Sequence, residues 1–160
     1  MILVTVGSST FPFDRLLRAV APLADGEELV VQHGASTIRP TDARCLEFVP
    51  FHELAALVRA ARVVVTHAGV GSILLALSNG KKPVVVPRLR SFGETVDDHQ
   101  LECARRFGRD DLVTVVEDPA RLGAVVAAVR GDAVAIGSAQ DVPLVRELRS
   151  YIRAAVGAPA

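Results

Sequence analysis

The feature that most constrains the fold of this chain is an alternation of short β-branched runs with helical patterns. Near-continuous apolar runs are typical of strands that are covered on both faces. Between the runs, apolar residues recur at the spacing of one helix face, as in Leu16, Leu17 and Val20. The alternation predicts an α/β, Rossmann-like domain with a parallel sheet of about six strands and helices on both faces. The predicted strands are residues 2–6, 28–32, 45–49, 62–66, 83–87 and 112–116.

The length of 160 residues suits one domain with a substantial core, and the sequence has no internal repeat or low-complexity linker. We expect the domain to span residues 1–156, followed by a frayed tail at 157–160. Residues 131–140 resemble a surface connection. A last amphipathic helix would then carry Val145, Leu148 and Ile152 on one face.

Composition argues against several classes of protein. The formal net charge is zero, so we expect no nucleic-acid partner. Cys45 and Cys103 have no metal-ligand spacing with each other or with the four histidines, so we expect no metal. No stretch approaches the roughly 20 apolar residues of a membrane span, and the opening run MILVTVG is too short for a signal peptide. These features predict a cytoplasmic protein that reaches a membrane only through a partner.

Ligands of open α/β sheets bind beyond the carboxyl ends of the strands, so the residues that directly follow each predicted strand are the main candidates for a binding site. After the first run come Gly7, Ser8 and Ser9. Glycine allows a sharp turn there, and the hydroxyls would either cap the next helix or meet a phosphate. The sequence leaves both readings open.

The fourth run is followed by the loop HAGVGS, residues 67–72. Gly69 and Gly71 allow close approach of the backbone, and Ser72 is expected to open a helix over 73–79. Free N–H groups at a helix N-terminus bind anions, so the loop is a candidate diphosphate site. A tight turn without a ligand would have the same sequence.

A polar stretch, RLRSFGETVDDHQ at 88–100, follows the fifth run and interrupts a very apolar chain. Asp98 and Gln100 are side chains that can bridge the hydroxyl groups of a sugar. Alternatively, Asp97 or Asp98 simply caps a helix over 99–107.

HAGVGS, NGKKPVVVP and DDHQ, in this order, resemble the C-terminal, donor-binding half of family 28 glycosyltransferases, which have the two-domain GT-B fold. Three longer segments are especially similar to free-standing PssE-type exopolysaccharide glycosyltransferase subunits: MILVTVGSSTFPFDRLLRAV, FVPFHELAALVRAARVVVTHAGVGSI and VPRLRSFGETVDDHQ. The soluble subunit of the dolichol-linked GlcNAc transferase and the C-terminal half of MurG are also similar. The resemblance covers roughly residues 1–110 and implies that the domain at 1–156 binds a nucleotide-sugar.

The resemblance implies a UDP-sugar as the substrate and no separate cofactor. It implies that the backbone around Pro50 and Phe51 holds the uracil. Asp98, His99 and Gln100 would lie near the donor sugar, and Gln100 matches the family's sugar-contacting glutamine. His67 matches a position that is often His or Arg. The residues expected around the diphosphate are Gly7, Ser8, Ser9, Ala68, Gly69, Val70, Gly71 and Ser72.

One position departs from the family pattern. In MurG and in the eukaryotic subunit, the third residue after the serine or threonine of the loop is an acid that binds the ribose hydroxyls. Here that residue is Leu75, whose side chain accepts no hydrogen bond. PssE-type chains also lack the acid, so ribose recognition must differ in this subgroup.

The implied reaction is transfer of a sugar, with inversion, from a UDP-sugar to a polyprenyl-diphosphate-linked acceptor in polysaccharide biosynthesis. A base must deprotonate the acceptor, and Glu94 and His99 are the local candidates, although the loop equally suits a partner interface or the donor sugar. In two-domain relatives the acceptor site comes from the N-terminal half. We therefore expect a membrane-bound, PssD-like partner that holds this chain at the inner face of the membrane.

Two other readings fit the same residues. A non-catalytic nucleotide-binding or accessory subunit, which only enhances a partner glycosyltransferase, is favoured by Leu75. A UDP-sugar 2-epimerase shares the GT-B fold but needs both halves. Surplus apolar surface at Phe11 and Phe13 would also allow a homo-oligomer.

Overall fold

A single parallel sheet organises the part of the chain that the computed structural model describes, residues 1–129. The strands are β1 (Ile2–Thr5), β2 (Leu29–Gln32), β3 (Arg44–Leu46), β4 (Val63–His67), β5 (Val84–Val86) and β6 (Thr114–Val115). Their order in the sheet is β3-β2-β1-β4-β5-β6, and all five pairings are parallel. Each strand overlaps a predicted run, although the third strand ends before the predicted run does, so that Phe48 and Val49 lie outside the sheet.

Helices cover both faces of this sheet. The helices are α1 (Asp14–Val20), α2 (Phe51–Ala60), α3 (Val70–Ser78), α4 (His99–Arg109) and α5 (Leu122–Ala128). One core cluster packs α1 and α5 against one face, where Leu16, Leu17 and Leu122 are fully buried. Two further clusters place α2, α3 and α4 on the other face. The predicted Rossmann-like class is confirmed, because valines of the central strands point alternately into both layers.

The N-terminal boundary of α3 differs from the prediction, which placed it after Ser72. Gly69 has extended backbone angles, and its carbonyl accepts hydrogen bonds from the N–H groups of Ser72 and Ile73, each at 3.1 Å. The first helical turn therefore closes on Gly69. The helix thus begins at Val70, three residues before the predicted start at residue 73, and Gly71 and Ser72 lie inside its first turn.

The start of α1 also corrects an expectation. Phe13 is fully buried, and its N–H donates to Ser36 Oγ at 2.9 Å, so it offers no surface for pairing subunits. Of the two phenylalanines only Phe11 is exposed, at 37%. The hydroxyls of the β1 loop do not cap α1 either, since Ser9 Oγ accepts from the N–H of Phe11 instead.

The strand order positions the site. The chain runs outward from β1 to β2 and β3, then crosses back to β4 on the other side of β1. A crevice opens where the order reverses, at the carboxyl ends of β1 and β4. The predicted connection at 131–140, the last helix and the tail lie outside the described residues. Within residues 1–129, no helix is long and apolar enough to cross a membrane.

Candidate functional site

A cleft of about 380 Å³ opens at this reversal point, a volume within the usual range for small-ligand sites. It contains seven of the residues predicted from the sequence: Gly7, Ser8, Phe51, His67, Gly69, Gly71 and Ser72. Five further residues line it without having been predicted as ligand contacts: Gln32, Phe48, Val49, Leu54 and Leu75. The remaining predicted residues support or flank the cleft.

The N-terminus of α3 forms one wall of the cleft. The N–H groups of Gly69, Val70 and Gly71 meet no acceptor within residues 1–129. Ala68 is different, because its N–H donates to Gln100 Oε1 at 3.2 Å. Unpaired donors together with the positive end of the helix dipole make this wall suitable for an anion, although none of the lining residues within the described part of the chain is a lysine or an arginine.

His67 ends β4, and its ring lies between the backbones of Gly7 and Gly69. A Cβ at either glycine would overlap the imidazole, and Gly7 also has a positive φ of 77°. The two glycines are therefore needed to admit the ring. Burial, and then the nearby Arg88 guanidinium, lower the pKa of His67 to about 4, while a hydrogen bond with the Thr5 backbone opposes the shift. At neutral pH the ring is uncharged.

Gln32 closes the floor of the cleft beneath the β1 loop. Its Oε1 accepts from Thr5 Oγ1 at 2.6 Å and from the N–H of Gly7 at 3.2 Å. Its Nε2 donates to the carbonyls of Gly7 and Glu47, at 3.1 and 2.9 Å. The N–H of Gly7 is thus already used, which leaves Ser8 as the lining residue of this loop with a free N–H. The signal in the sequence was the polar residue that ends the buried strand LVVQ, residues 29–32.

The opposite wall is apolar and aromatic. Phe48 and Phe51 line it while remaining 59% and 73% exposed. Pro50 is the N-cap of α2, and its carbonyl accepts from the N–H of Leu54 at 2.9 Å. Leu75, a residue of α3, also lines the cleft. It is only 8% exposed, and it packs in the same core cluster as Ala55 and Val58 of α2. Such a wall suits a planar, weakly polar group such as a nucleobase.

Glu94 is buried in an ion pair and does not line the cleft. Arg15 donates to both of its carboxylate oxygens, at 2.9 and 2.8 Å, and the N–H of Leu89 donates to Oε2 at 3.0 Å. His99 is the opposite case: its side chain is 80% exposed and pairs with Asp97 at 2.7 Å, which raises the pKa of His99 and lowers that of Asp97. The geometry favours a structural role for Glu94.

The start of α4 connects the polar stretch to the cleft. Asp98 is the N-cap residue of α4, but its carboxylate accepts from the N–H of Arg90 at 3.0 Å and makes no capping bond. Asp97, one residue earlier, accepts the N–H of His99 at 3.1 Å. Gln100 Oε1 accepts two backbone N–H bonds, from Ala68 and from Arg88, each at 3.2 Å. Its oxygen is therefore occupied, and its Nε2 amide remains to donate to a ligand.

The sheet order and the cleft at its reversal point define a Rossmann-like α/β domain with the fold of one half of a GT-B glycosyltransferase. Residues 1–135 match the model of the glycosyltransferase family 28 C-terminal domain. The chain belongs to that family.

Similar proteins span more than this chain does. A UDP-N-acetylglucosamine transferase subunit ALG13 from Yarrowia lipolytica (strain CLIB 122 / E 150) is 37% identical over 75 residues, which are 47% of this chain and 36% of the relative. Among solved structures, the glycotransferase of kitacinnamycin aligns with 96% of this chain and 39% of its own, at 23% identity and a TM-score of 0.61. The calicheamicin glycosyltransferase CalG4 aligns with 99% and 44%, at 20% identity and a TM-score of 0.57. The structural likeness establishes the fold, and the chain spans less than half of each protein.

Proposed function

We propose that this chain is the donor-binding subunit of a UDP-sugar-dependent glycosyltransferase, acting with inversion on a polyprenyl-diphosphate-linked acceptor in polysaccharide biosynthesis. The observation that carries the proposal is the pairing of two unlike walls in one cleft. Free N–H groups of α3 line one wall, and Phe48 and Phe51 line the other. A nucleoside diphosphate has matching parts, namely an anionic diphosphate and a planar base.

The free N-terminus of α3 also suits the chemistry of the leaving group. In the reaction the bond between the anomeric carbon and the β-phosphate oxygen breaks, and a bond from the acceptor oxygen to that carbon forms. Negative charge develops on UDP as it leaves. Fixed N–H donors aimed at developing charge are worth about 10²–10³ in rate each, so the N–H groups of Gly69, Val70 and Gly71 would assist departure.

The acceptor proton must go to a base, and the described residues give little support for one in this chain. The Glu94 carboxylate already binds Arg15 and Leu89, and His99 is solvent-exposed outside the cleft. We therefore place the base on the acceptor-binding partner, a membrane-bound, PssD-like subunit. This chain would then sit at the cytoplasmic face of the membrane through that subunit.

The distribution of exposed apolar side chains supports a partner at the same edge. Within residues 1–129 all six large, exposed apolar residues follow the carboxyl end of a strand: Phe11, Phe48, Phe51, Val70, Phe92 and Val96. Exposed apolar patches mark interaction sites more often than ordinary surface. A second domain docked on this edge would cover them and close the cleft over a donor.

Leu75 favours a second candidate function. The chain would then be an accessory subunit that enhances a partner glycosyltransferase without binding the donor itself. Leu75 occupies the position where relatives carry the ribose-binding acid, and its side chain is packed into the core. Without the acid, the chain lacks one contact that a bound donor would be expected to make. An accessory function, however, gives no role to the unpaired N–H groups at the N-terminus of α3.

Calorimetry on the purified chain separates the two functions. We expect UDP to bind at least about tenfold more tightly than UMP, because each charge-assisted hydrogen bond to the second phosphate contributes about 1.5–3 kcal/mol. Absence of UDP binding, combined with stimulation of a co-expressed partner, would favour the accessory function. Sugar transfer by this chain without any partner would contradict the placement of the base on a second subunit.

A further inference from the structure

Arg88 follows β5 and has the largest fully buried side chain in the part of the chain that the structure describes. It is 1% exposed, and burial lowers the pKa of its guanidinium while Glu94 opposes that shift. Arginine nevertheless keeps its charge at neutral pH. A charge is tolerated in a core only where fixed dipoles replace water, so the partners of Arg88 show what the residue does.

Backbone carbonyls of two loops surround the guanidinium. Nη2 donates to the carbonyl of Val6, at the end of β1, at 2.9 Å. Nη1 donates to the carbonyls of Phe11 and Pro12 in the β1 loop, at 2.9 and 3.2 Å, and to that of Glu94 in the β5 loop, at 3.1 Å. The guanidinium carbon also lies 4.6 Å from the centre of the Phe13 ring. One side chain thus joins the loops after β1 and β5.

The backbone of Arg88 reaches the third loop. Its N–H donates to Gln100 Oε1, the same oxygen that accepts the N–H of Ala68 in the β4 loop. Arg88 Nε, in contrast, is buried without a partner within residues 1–129. An apolar side chain of similar volume would remove the orphaned donor and the buried charge, but it would leave without this donor the four loop carbonyls that the guanidinium binds. The hydrogen bonds of Arg88 therefore hold these loops in a way that packing alone would not.

We propose that Arg88 is a positioning residue of the donor cleft, which locks the loops after β1, β4 and β5 in the placement that a nucleoside diphosphate requires. The inference rests on the proposed function of the cleft. Its charge has a second consequence, because the guanidinium is one of the groups that keep the His67 ring neutral between Gly7 and Gly69.

Two substitutions separate the fork of hydrogen bonds from the charge. Arg88→Lys keeps the charge and loses the fork, whereas Arg88→Met loses both. We expect each to weaken UDP binding about tenfold or more in calorimetry, a loss comparable to that of one charge-assisted hydrogen bond. The exposed neighbour Arg90, changed to Met, is the matched control and should bind UDP as the unaltered chain does.

NMR titration of the His67 ring measures a pKa that depends on the charge at residue 88. A residue that acted only by packing would not make this pKa differ between the two variants in the way expected here. Its pKa should rise in Arg88→Met and stay low in Arg88→Lys. Folded Arg88 variants that bind UDP normally would overturn the inference while leaving the proposed function intact. If the unaltered chain does not bind UDP, the proposed function fails, and the His67 titration in the two variants then decides whether Arg88 acts on the cleft.

Hydrogen exchange on the unaltered chain covers the case in which the Arg88 variants do not fold. We expect UDP to protect amides of all three loops together, including those of Thr10, Phe11 and residues 89–94, which the diphosphate need not touch. Protection confined to residues 69–73 would show that the loops are not coupled and would overturn the inference.

Discussion

The loops that follow β4 and β5 differ in which of them has hydrogen-bonding groups left for a ligand, and the difference is the opposite of what their sequences suggest. The β5 loop, residues 88–98, is rich in charged groups, yet Arg88, Glu94 and Asp98 bind protein partners. The β4 loop, residues 68–72, has hardly any functional side chain, yet its backbone supplies the unpaired donors of the cleft. Polar side chains here build the frame, and glycine-rich backbone offers the binding surface.

This difference teaches that available hydrogen-bonding capacity, rather than polarity, marks the site. A carboxylate with both oxygens occupied, such as Glu94, has little left to give a substrate. An amide N–H at the first turn of a helix has no internal partner by geometry. Changes in the β5 loop should therefore affect stability first, and changes in the β4 loop should affect binding first.

The largest expected effect is on stability, from Glu94→Ala in the β5 loop. Removal of one partner of a buried ion pair costs about 3 kcal/mol, because Arg15 loses its carboxylate and the N–H of Leu89 loses its acceptor. Urea denaturation would measure the change in free energy of unfolding. The control is Glu117→Ala, which breaks the exposed pair with Arg105 and should cost far less. Equal losses in the two variants would show that Glu94 is not part of the frame.

Gly71→Asp should change binding without harming the fold. A Cβ at Gly71 meets no atom within 4 Å, and an acid in the first turn of α3 favours the helix. The same charge repels a diphosphate, so we expect UDP affinity to fall about thirtyfold, roughly 2 kcal/mol.

Gly71→Asn is the matched neutral variant, with almost the same shape. Calorimetry should show a much smaller loss for it than for Gly71→Asp. Equal affinities for UDP in the two variants would mean that the anion does not lie at the N-terminus of α3. Gly69 is unsuitable for this purpose, because a side chain there would overlap the His67 ring.

Gln100→Glu tests the point at which the loops after β4 and β5 meet, because Gln100 binds the backbone of both. The carboxylate would still accept from the N–H groups of Ala68 and Arg88, but it would lack the Nε2 donor. We expect the ratio of UDP-sugar affinity to UDP affinity to fall about tenfold, because charge repulsion acts on both ligands while the lost donor acts only on the sugar. An unchanged ratio would remove Gln100 from sugar recognition.

The expected effect that is smallest at neutral pH is a pH dependence of stability that arises from His67. Its folded-state pKa of about 4 lies below the ordinary 6.5, so the unfolded chain binds a proton that the folded chain excludes. Stability should therefore fall as the pH is lowered from 6.5 towards 4. Thermal denaturation of the unaltered chain and of His67→Gln should show a steeper loss in the former.

His99 works in the opposite direction, because Asp97 raises its pKa, so that acidification favours the folded state. Both proteins in the comparison retain that pair, which cancels its contribution. Glu27, whose pKa Arg62 lowers to about 2, adds a loss of stability only below its ordinary pKa of 4.5. A pH profile of stability that His67→Gln leaves unaltered would place the ring in solvent.

Much of the fold could be predicted because it follows from local pattern. Short apolar and β-branched runs predicted all six strands of the described sheet, and the cleft-forming loops at Gly7 and at 67–72 follow from strand ends. The start of α3 was misplaced because Ser72 was expected to open the helix, whereas the helix begins at Val70 and Gly69 is its N-cap. The wall formed by Phe48 and Leu54 was missed because it joins residues from two elements.

The sequence by itself determined the class of fold, the edge of the sheet that carries the cleft and the loop whose backbone faces it, because these depend on periodicity and on glycine positions. Only the tertiary structure decided which polar groups remain available. Glu94 pairs with Arg15, 79 positions away, and Arg88 binds carbonyls 76 to 82 positions away. Contacts between residues so distant in the chain are set by packing of the strand-end loops, which no local pattern encodes.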